Sequence, residues 1–145
     1  MTIDYTEAAT LARSAHAGQV DKAGDDYFTA HIEAVVRIVR EELGGDIRTA
    51  VAAYLHDIVE DTPVSLDTVI ETFGEDVGAD VDALTHRYTD GVGEPYPEYI
   101  DRIRARGGRA VVVKHADLLD HLHNGNTIPE NMRTKYVEAL ARLTA

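Results

Sequence analysis

The chain has 145 residues, 44% of them apolar, with 14 basic against 26 acidic side chains, a net charge of −12 and no cysteine. That length suits one domain with a core of its own. The charge disfavours non-specific binding to nucleic acid. The lack of cysteine excludes disulfides and thiolate metal sites, and no stretch approaches the ~20 apolar residues that span a membrane. The N-terminus shows no basic region followed by an apolar run, so no signal peptide is expected and the protein reads as cytoplasmic. On so acidic a chain, any phosphorylated ligand needs a local cation, either a metal or a small Lys/Arg/His cluster.

In chain order, Ala8, Leu11, Ala12 and Ala15 have helical spacing. "HIEAVVRIVREEL", residues 31–43, repeats the pattern and stops at Gly44-Gly45. Asp46 can cap a third helix that runs through Val51, Tyr54 and Leu55 toward Thr62-Pro63. Ser65 can cap residues 66–73, which end at Gly74, and residues 75–87 form the next helix. "YTDGVGEPYP", residues 88–97, is a Gly- and Pro-rich loop with no hairpin expected in it. "EYIDRIRAR" follows at 98–106, then a break at Gly107-Gly108. "RAVVVKHADLLDHLH", residues 109–123, reads as a buried helix, although Val111, Val112 and Val113 prefer strand. Pro129 opens a final amphipathic helix to Leu143. The expectation is an all-α fold, a single compact helical domain over residues 1–145.

The stretch "LHDIVEDT", residues 55–62, raises a charge problem. Read as helix, it sets Asp57, Glu60 and Asp61 on one stripe, with His56 beside Glu60. Like charges so placed cost about 0.2–0.5 kcal/mol per pair, and the stretch has no Lys or Arg. A cation must come from elsewhere. Divalent metals of the first row accept imidazole and carboxylate together, and His31 and Asp117 can complete such a set with His56 and Asp57. A carboxylate on the apolar helix that carries Val113 and Leu118 is costly to bury unpaired. Asp117 therefore either binds metal or pairs with Lys114 one turn earlier. Lys114 itself can reach a phosphate or pair with an acid such as Asp120. His16 faces a site or fills a structural position, while His86, His115 and His123 read as structural or surface residues. Tyr99 and Ile100 read as core.

The order H…HD…D resembles the signature of the HD-domain metal-dependent phosphohydrolases. More narrowly, "AHAGQVDKAGDDYFTAH", "LHDIVEDT", "YPEYIDRI" and "VKHADLLDHL" are similar to the hydrolase domain of the Rel/Spo-type alarmone enzymes and their small stand-alone relatives. The resemblance implies His31, His56, Asp57 and Asp117 as metal ligands, with manganese the metal. It implies Glu60 and Asp61 as the acidic pair that positions the attacking water, and Lys22, Lys114, Arg102 and His121 as residues near the substrate. A metal held so lowers the pKa of a bound water and makes it a nucleophile. The implied reaction removes pyrophosphate from the 3′ position of a guanosine polyphosphate, with a small-molecule nucleotide as substrate and neither nucleic acid nor membrane as partner. Alternatives are an HD phosphohydrolase of another nucleotide and an inactive nucleotide-binding sensor module. Departures fall at the substrate end. Asp21 precedes Lys22 where the family has Arg, and His121 stands where it has Asn. The spacing from Tyr27 to His31 is one residue longer than the family's.

Overall fold

The computed structural model describes residues 5–123 and 128–145. Among these, helices α1 (Tyr5–Ala15), α2 (residues 28–42), α3 (Ile47–Leu55), α4 (Ile58–Asp61), α5 (Leu66–Phe73) and α6 (Glu75–Leu84) come first. A two-stranded hairpin, β1 (Tyr88–Thr89) and β2 (Val92–Gly93), leads to α7 (Tyr96–Arg106), α8 (Gly108–His123) and α9 (Glu130–Leu143). The fold is all-α in class, and the expected caps are in place. Asp46 accepts from the Thr49 N–H at 2.9 Å and Ser65 from the Thr68 N–H at 3.1 Å, which satisfies donors that open a helix.

Two departures from the expected helices shape the site. The first is in α2, which begins with a π turn, Phe28–Ile32, continues as α-helix over Glu33–Arg37 and closes with a second π turn, Ile38–Glu42. A π turn bonds one residue further along than an α turn, and here the Glu33 N–H donates to the Phe28 carbonyl. This wide turn separates Tyr27 from His31, and the two rings are neighbours with centroids 5.1 Å apart. After the second π turn the chain folds so tightly that a Cβ on Gly45 would lie 2.5 Å from Val39 Cγ1; only glycine fits.

The second departure corrects the long third helix. It ends at Leu55, and α4 is a separate single turn. His56 Nδ1 donates to the Ala53 carbonyl at 2.6 Å, and Asp57 has φ −107° and ψ 0°, the sparsely populated bridge region. His56 and Asp57 therefore sit at a corner between two helices, where adjacent side chains can turn toward one point.

The loop at residues 88–97 also differs from expectation, because a hairpin lies inside it. Tyr88 pairs with Gly93 and Thr89 with Val92. Asp90 and Gly91 have φ of 52° and 79°, both positive, as a two-residue type I′ turn requires.

Helix α8 runs through the middle of the fold and packs on α2, α3, α6, α7 and α9. Its valine run is helical because Val113, with Ala110, Ala116 and Leu118, is fully buried against those neighbours, and tertiary packing overrides an intrinsic strand preference. Each such large apolar side chain contributes roughly 1.5–3 kcal/mol on burial. That offsets the cost of three charged residues buried on the same helix, Lys114, Asp117 and Asp120.

Candidate active site

His31 from α2, His56 and Asp57 from the α3–α4 corner and Asp117 from α8 converge. His31 Nε2 lies 2.9 Å from Asp117 Oδ1 and 3.6 Å from Asp57 Oδ2. His56 Nε2 lies 3.2 Å from Asp57 Oδ2 and 3.5 Å from Asp117 Oδ1. Despite these short distances, both Nε2 atoms are buried with no hydrogen-bond partner among the described residues, because the oxygens lie off the direction of a ring N–H. One ligand atom each from His31, His56 and Asp117 fits within 4.8 Å of the others. Two imidazole nitrogens aimed between two carboxylates are a donor set that a divalent first-row metal accepts, and the residues fit such an ion.

The surroundings fix this set. Asp120 Oδ2 lies 2.8 Å from His31 Nδ1, and the Ala53 carbonyl holds His56 Nδ1. Each contact places the ring proton on Nδ1 and leaves Nε2 for a metal. The Tyr27 hydroxyl donates to Asp57 Oδ2 at 2.5 Å. Burial, then the Asp57 charge, pushes the Tyr27 hydroxyl far above its ordinary range, so it keeps the proton that it donates to Asp57. Asp117 serves two sides, with Oδ2 accepting from Lys114 Nζ at 2.9 Å while Oδ1 faces the histidines. Pairing with Lys114 thus uses one oxygen of Asp117 and leaves the other toward the two imidazoles.

A cavity of about 330 Å³ opens over Asp57 and Asp117. Glu60 and Asp61 line one part of it, and Lys114, His121, Lys135 and Tyr136 line another. Glu60 accepts the His86 N–H at 2.8 Å and Asp61 accepts from Gln19 Nε2 at 3.3 Å. Partial burial, reinforced by the Asp57 charge, holds both carboxyls above their ordinary range. They are poised to take a proton, as a base for water needs. His121 stacks on His31 and on Tyr136, each with centroids 4.8 Å apart.

Two residues expected near the substrate are not brought to this cavity. Arg102 donates to the carbonyls of Asp82, Ala83 and Thr85 at 3.3, 3.1 and 2.9 Å and to Glu94 at 2.6 Å. It closes the C-terminal end of α6, whose last carbonyls lack helical partners. Lys22 is exposed on the loop after α1 and does not line the cavity. It acts on it through charge, helping Lys114 to depress the pKa of Lys135 after burial itself. Reading the sequence missed His86, whose ring stacks on Tyr99 at 4.8 Å beside Glu60. It also missed Gln19, Tyr27, Asp120, Lys135 and Tyr136. Asp120 was within reach, since the cost that singles out Asp117 applies equally three residues on. Tyr27 lies one turn before His31. His86 follows α6 in an irregular segment, and no spacing signals it.

Asp120→Asn should weaken metal binding by about 10–100-fold, the usual size of an outer carboxylate's effect on a ligating histidine. Calorimetric titration of chelated protein with manganese measures it, and unchanged affinity would discard the role. The pH dependence has a definite sign. Burial opposes charging His31, but the close carboxylates of Asp117 and Asp120 outweigh it and raise its pKa to about 9; His56 is likewise raised, by Asp57 and Asp117 against burial. Metal must displace these protons, so affinity should fall as pH drops, by about tenfold per unit for each proton released. For folding of the chelated protein the sign is opposite. His31 is raised above its unfolded value, so its contribution is complete below about pH 6.5 and is lost as pH rises through about 9. Proton release on titrating metal at pH 7 in buffers of different ionisation enthalpy checks the first point.

A family model described as "HD domain" matches residues 8–143. The chain is 42% identical over 142 residues to a probable GTP pyrophosphokinase of Mycobacterium leprae, covering 92% of this chain and 17% of that protein. It is 34% identical to a probable guanosine-3′,5′-bis(diphosphate) 3′-pyrophosphohydrolase of Synechocystis sp., covering 87% of this chain and 17% of that protein. A guanosine-3′,5′-bis(diphosphate) 3′-pyrophosphohydrolase of Aquifex aeolicus is 29% identical, covering 98% of this chain and 20% of the relative. The chain thus spans a fifth or less of the length of these relatives. A solved structure described as a metazoan ortholog of SpoT that hydrolyzes ppGpp superposes with a TM-score of 0.78 at 24% identity, over 99% of this chain and 84% of that one, which shows a shared fold. With helices arranged in that fold and a family match over nearly the whole chain, this protein belongs to the HD domain family.

Proposed function

We propose that the chain is a metal-dependent phosphohydrolase that removes pyrophosphate from the 3′ position of guanosine 3′,5′-bis(diphosphate). The observation that carries this reading is the pair of orphaned, buried Nε2 atoms of His31 and His56 facing Asp57 and Asp117, with Glu60 and Asp61 lining the cavity above them. His31, His56, Asp57 and Asp117 would hold the metal, manganese, which when bound acidifies water and draws charge from the phosphate oxygens. Glu60 and Asp61 orient the attacking water and take its proton. Lys114, ion-paired to Asp117 in the cavity wall, adds positive potential where charge grows on the phosphoryl oxygens and on the ribose O3′ as the P–O3′ bond breaks. His121 and Tyr136 offer a stacked aromatic wall to the nucleoside. Residues 1–145 form the hydrolytic domain, acting in the cytoplasm on a small-molecule nucleotide. The relatives from Synechocystis and Aquifex that carry the pyrophosphohydrolase name support the choice of substrate.

A second reading, hydrolysis of another nucleotide, draws on the substrate end. Asp21 is turned onto its own loop, where Oδ1 accepts the N–H groups of Ala23 and Asp25, each at 2.9 Å, and offers no cation to a base or phosphate. Incubation with manganese and the tetraphosphate should yield guanosine diphosphate and pyrophosphate. Turnover of a different nucleotide from a panel, and none of the tetraphosphate, would select the second reading. Purified protein that takes up no divalent metal would sink both.

A further inference from the structure

We propose that His16 and Gln19 form a positioning relay that fixes the carboxylate of Asp61, and that this loop-borne pair, outside the metal cluster, sets the turnover rate. The proposal rests on the reading of Asp61 as a residue of the hydrolytic site. The geometry is a continuous chain of polar contacts. His16 Nδ1 lies 2.8 Å from Gln19 Oε1 and Gln19 Nε2 donates to Asp61 Oδ2 at 3.3 Å. A carboxylate only accepts, so the amide must present N–H to Asp61 and oxygen to His16. The proton between His16 and Gln19 therefore sits on His16 Nδ1, and one tautomer of a buried ring dictates which way the amide faces.

The loop that carries this pair is built to hold still. The Gln19 N–H donates to the His16 carbonyl and the Gln19 carbonyl accepts the Tyr27 N–H, both at 2.9 Å. Val20 and Asp26 bridge across the loop, and Asp21 ties its tip through Ala23 and Asp25. The same loop ends in Tyr27, whose hydroxyl holds Asp57. One closed loop thus reaches two carboxylates of the α3–α4 corner, a metal-facing one through Tyr27 and a water-facing one through Gln19. His16 is 1% exposed, and its Nε2 has no partner among the described residues. An unpaired buried acceptor costs stability that an aliphatic side chain would not incur. Packing alone therefore does not account for a histidine here, whereas the Nδ1–H bond to Gln19 does.

The role is positional, since neither residue touches the metal-facing atoms, and misplacing a reacting group by about 1 Å can cost 10²-fold in rate. Gln19→Leu and His16→Leu should each lower kcat by about 10–100-fold while leaving KM and metal content unchanged. His16→Asn, whose amide nitrogen can take the place of Nδ1, should recover most of the loss. Added to Asp61→Asn, Gln19→Leu should cost little more, because both act through one carboxylate. Loss of metal, full additivity with Asp61→Asn, or equal damage from His16→Asn and His16→Leu in folded proteins would overturn the proposal. If His16→Leu does not fold, Gln19→Leu and the double variant decide. An independent reading comes from nitrogen NMR of the histidine rings. His16 should be protonated at Nδ1 in the wild type and lose that preference in Gln19→Leu. Protonation at Nε2 would overturn the relay whatever the turnover. Wild-type protein that hydrolyses no nucleotide, yet shows the Nδ1 tautomer, would count against the hydrolase reading and not against the relay's geometry.

Discussion

Glu60→Gln should keep the metal and lose turnover by about 10²–10⁴-fold, the contribution of a general base. Glu60 lines the cavity and is not among the carboxylates within 3.6 Å of the His31 and His56 Nε2 atoms, which are those of Asp57 and Asp117, so metal content should not change. The substitution keeps the shape and the oxygen that accepts the His86 N–H and removes the capacity to take a proton. The carboxyl of Glu60 is raised by partial burial and by the charges of Asp57 and Asp61, which brings it closer to the working range of a base. Steady-state rates with elemental analysis of the same preparation measure both quantities. Metal lost along with activity would make Glu60 a ligand, and an unaltered rate would move the proton transfer to Asp61.

Asp117→Ala should abolish metal binding and also weaken the fold by about 3–5 kcal/mol, the cost of leaving a buried charge without its partner. Lys114 is 7% exposed, and its ammonium is held charged, against burial, chiefly by Asp117. It has further support from the faces of Tyr99 and Tyr96, 4.9 and 5.7 Å away, and these cannot replace a carboxylate. Urea unfolding in the presence of chelator separates the stability effect from metal loss. Adding Lys114→Met should restore much of the stability and none of the metal binding, because the pair removed together leaves no stranded charge. Equal stability of wild type and Asp117→Ala under chelation would show that Lys114 has another anchor.

Much of this was legible in the sequence because the signals were local. Helical periodicity and capping residues set the class and most element ends, and Asp46 and Ser65 cap as their types demand. The convergence of His31, His56, Asp57 and Asp117 followed from residue chemistry, from a buried acid needing a partner and from a resemblance. What periodicity cannot carry is a break made by a side chain. The α3–α4 corner depends on His56 bonding the Ala53 carbonyl, and a helical pattern reads straight through it. The Asp-Gly turn was written in the sequence at Asp90 and Gly91 and passed over among neighbouring glycines and prolines. The place of Arg102 was not legible, because its partners, three carbonyls at the end of α6, are backbone groups that composition does not reveal.

The wide turn at Phe28–Ile32 bears on how such a chain changes length over time. A residue inserted into a helix normally swings every later side chain by about 100°. Here one loosened turn lies between Tyr27 and His31, and from its two ends Tyr27 reaches Asp57 and His31 reaches Asp117. A wide turn is thus a place where a helix can take in one residue without turning its later side chains away from their partners.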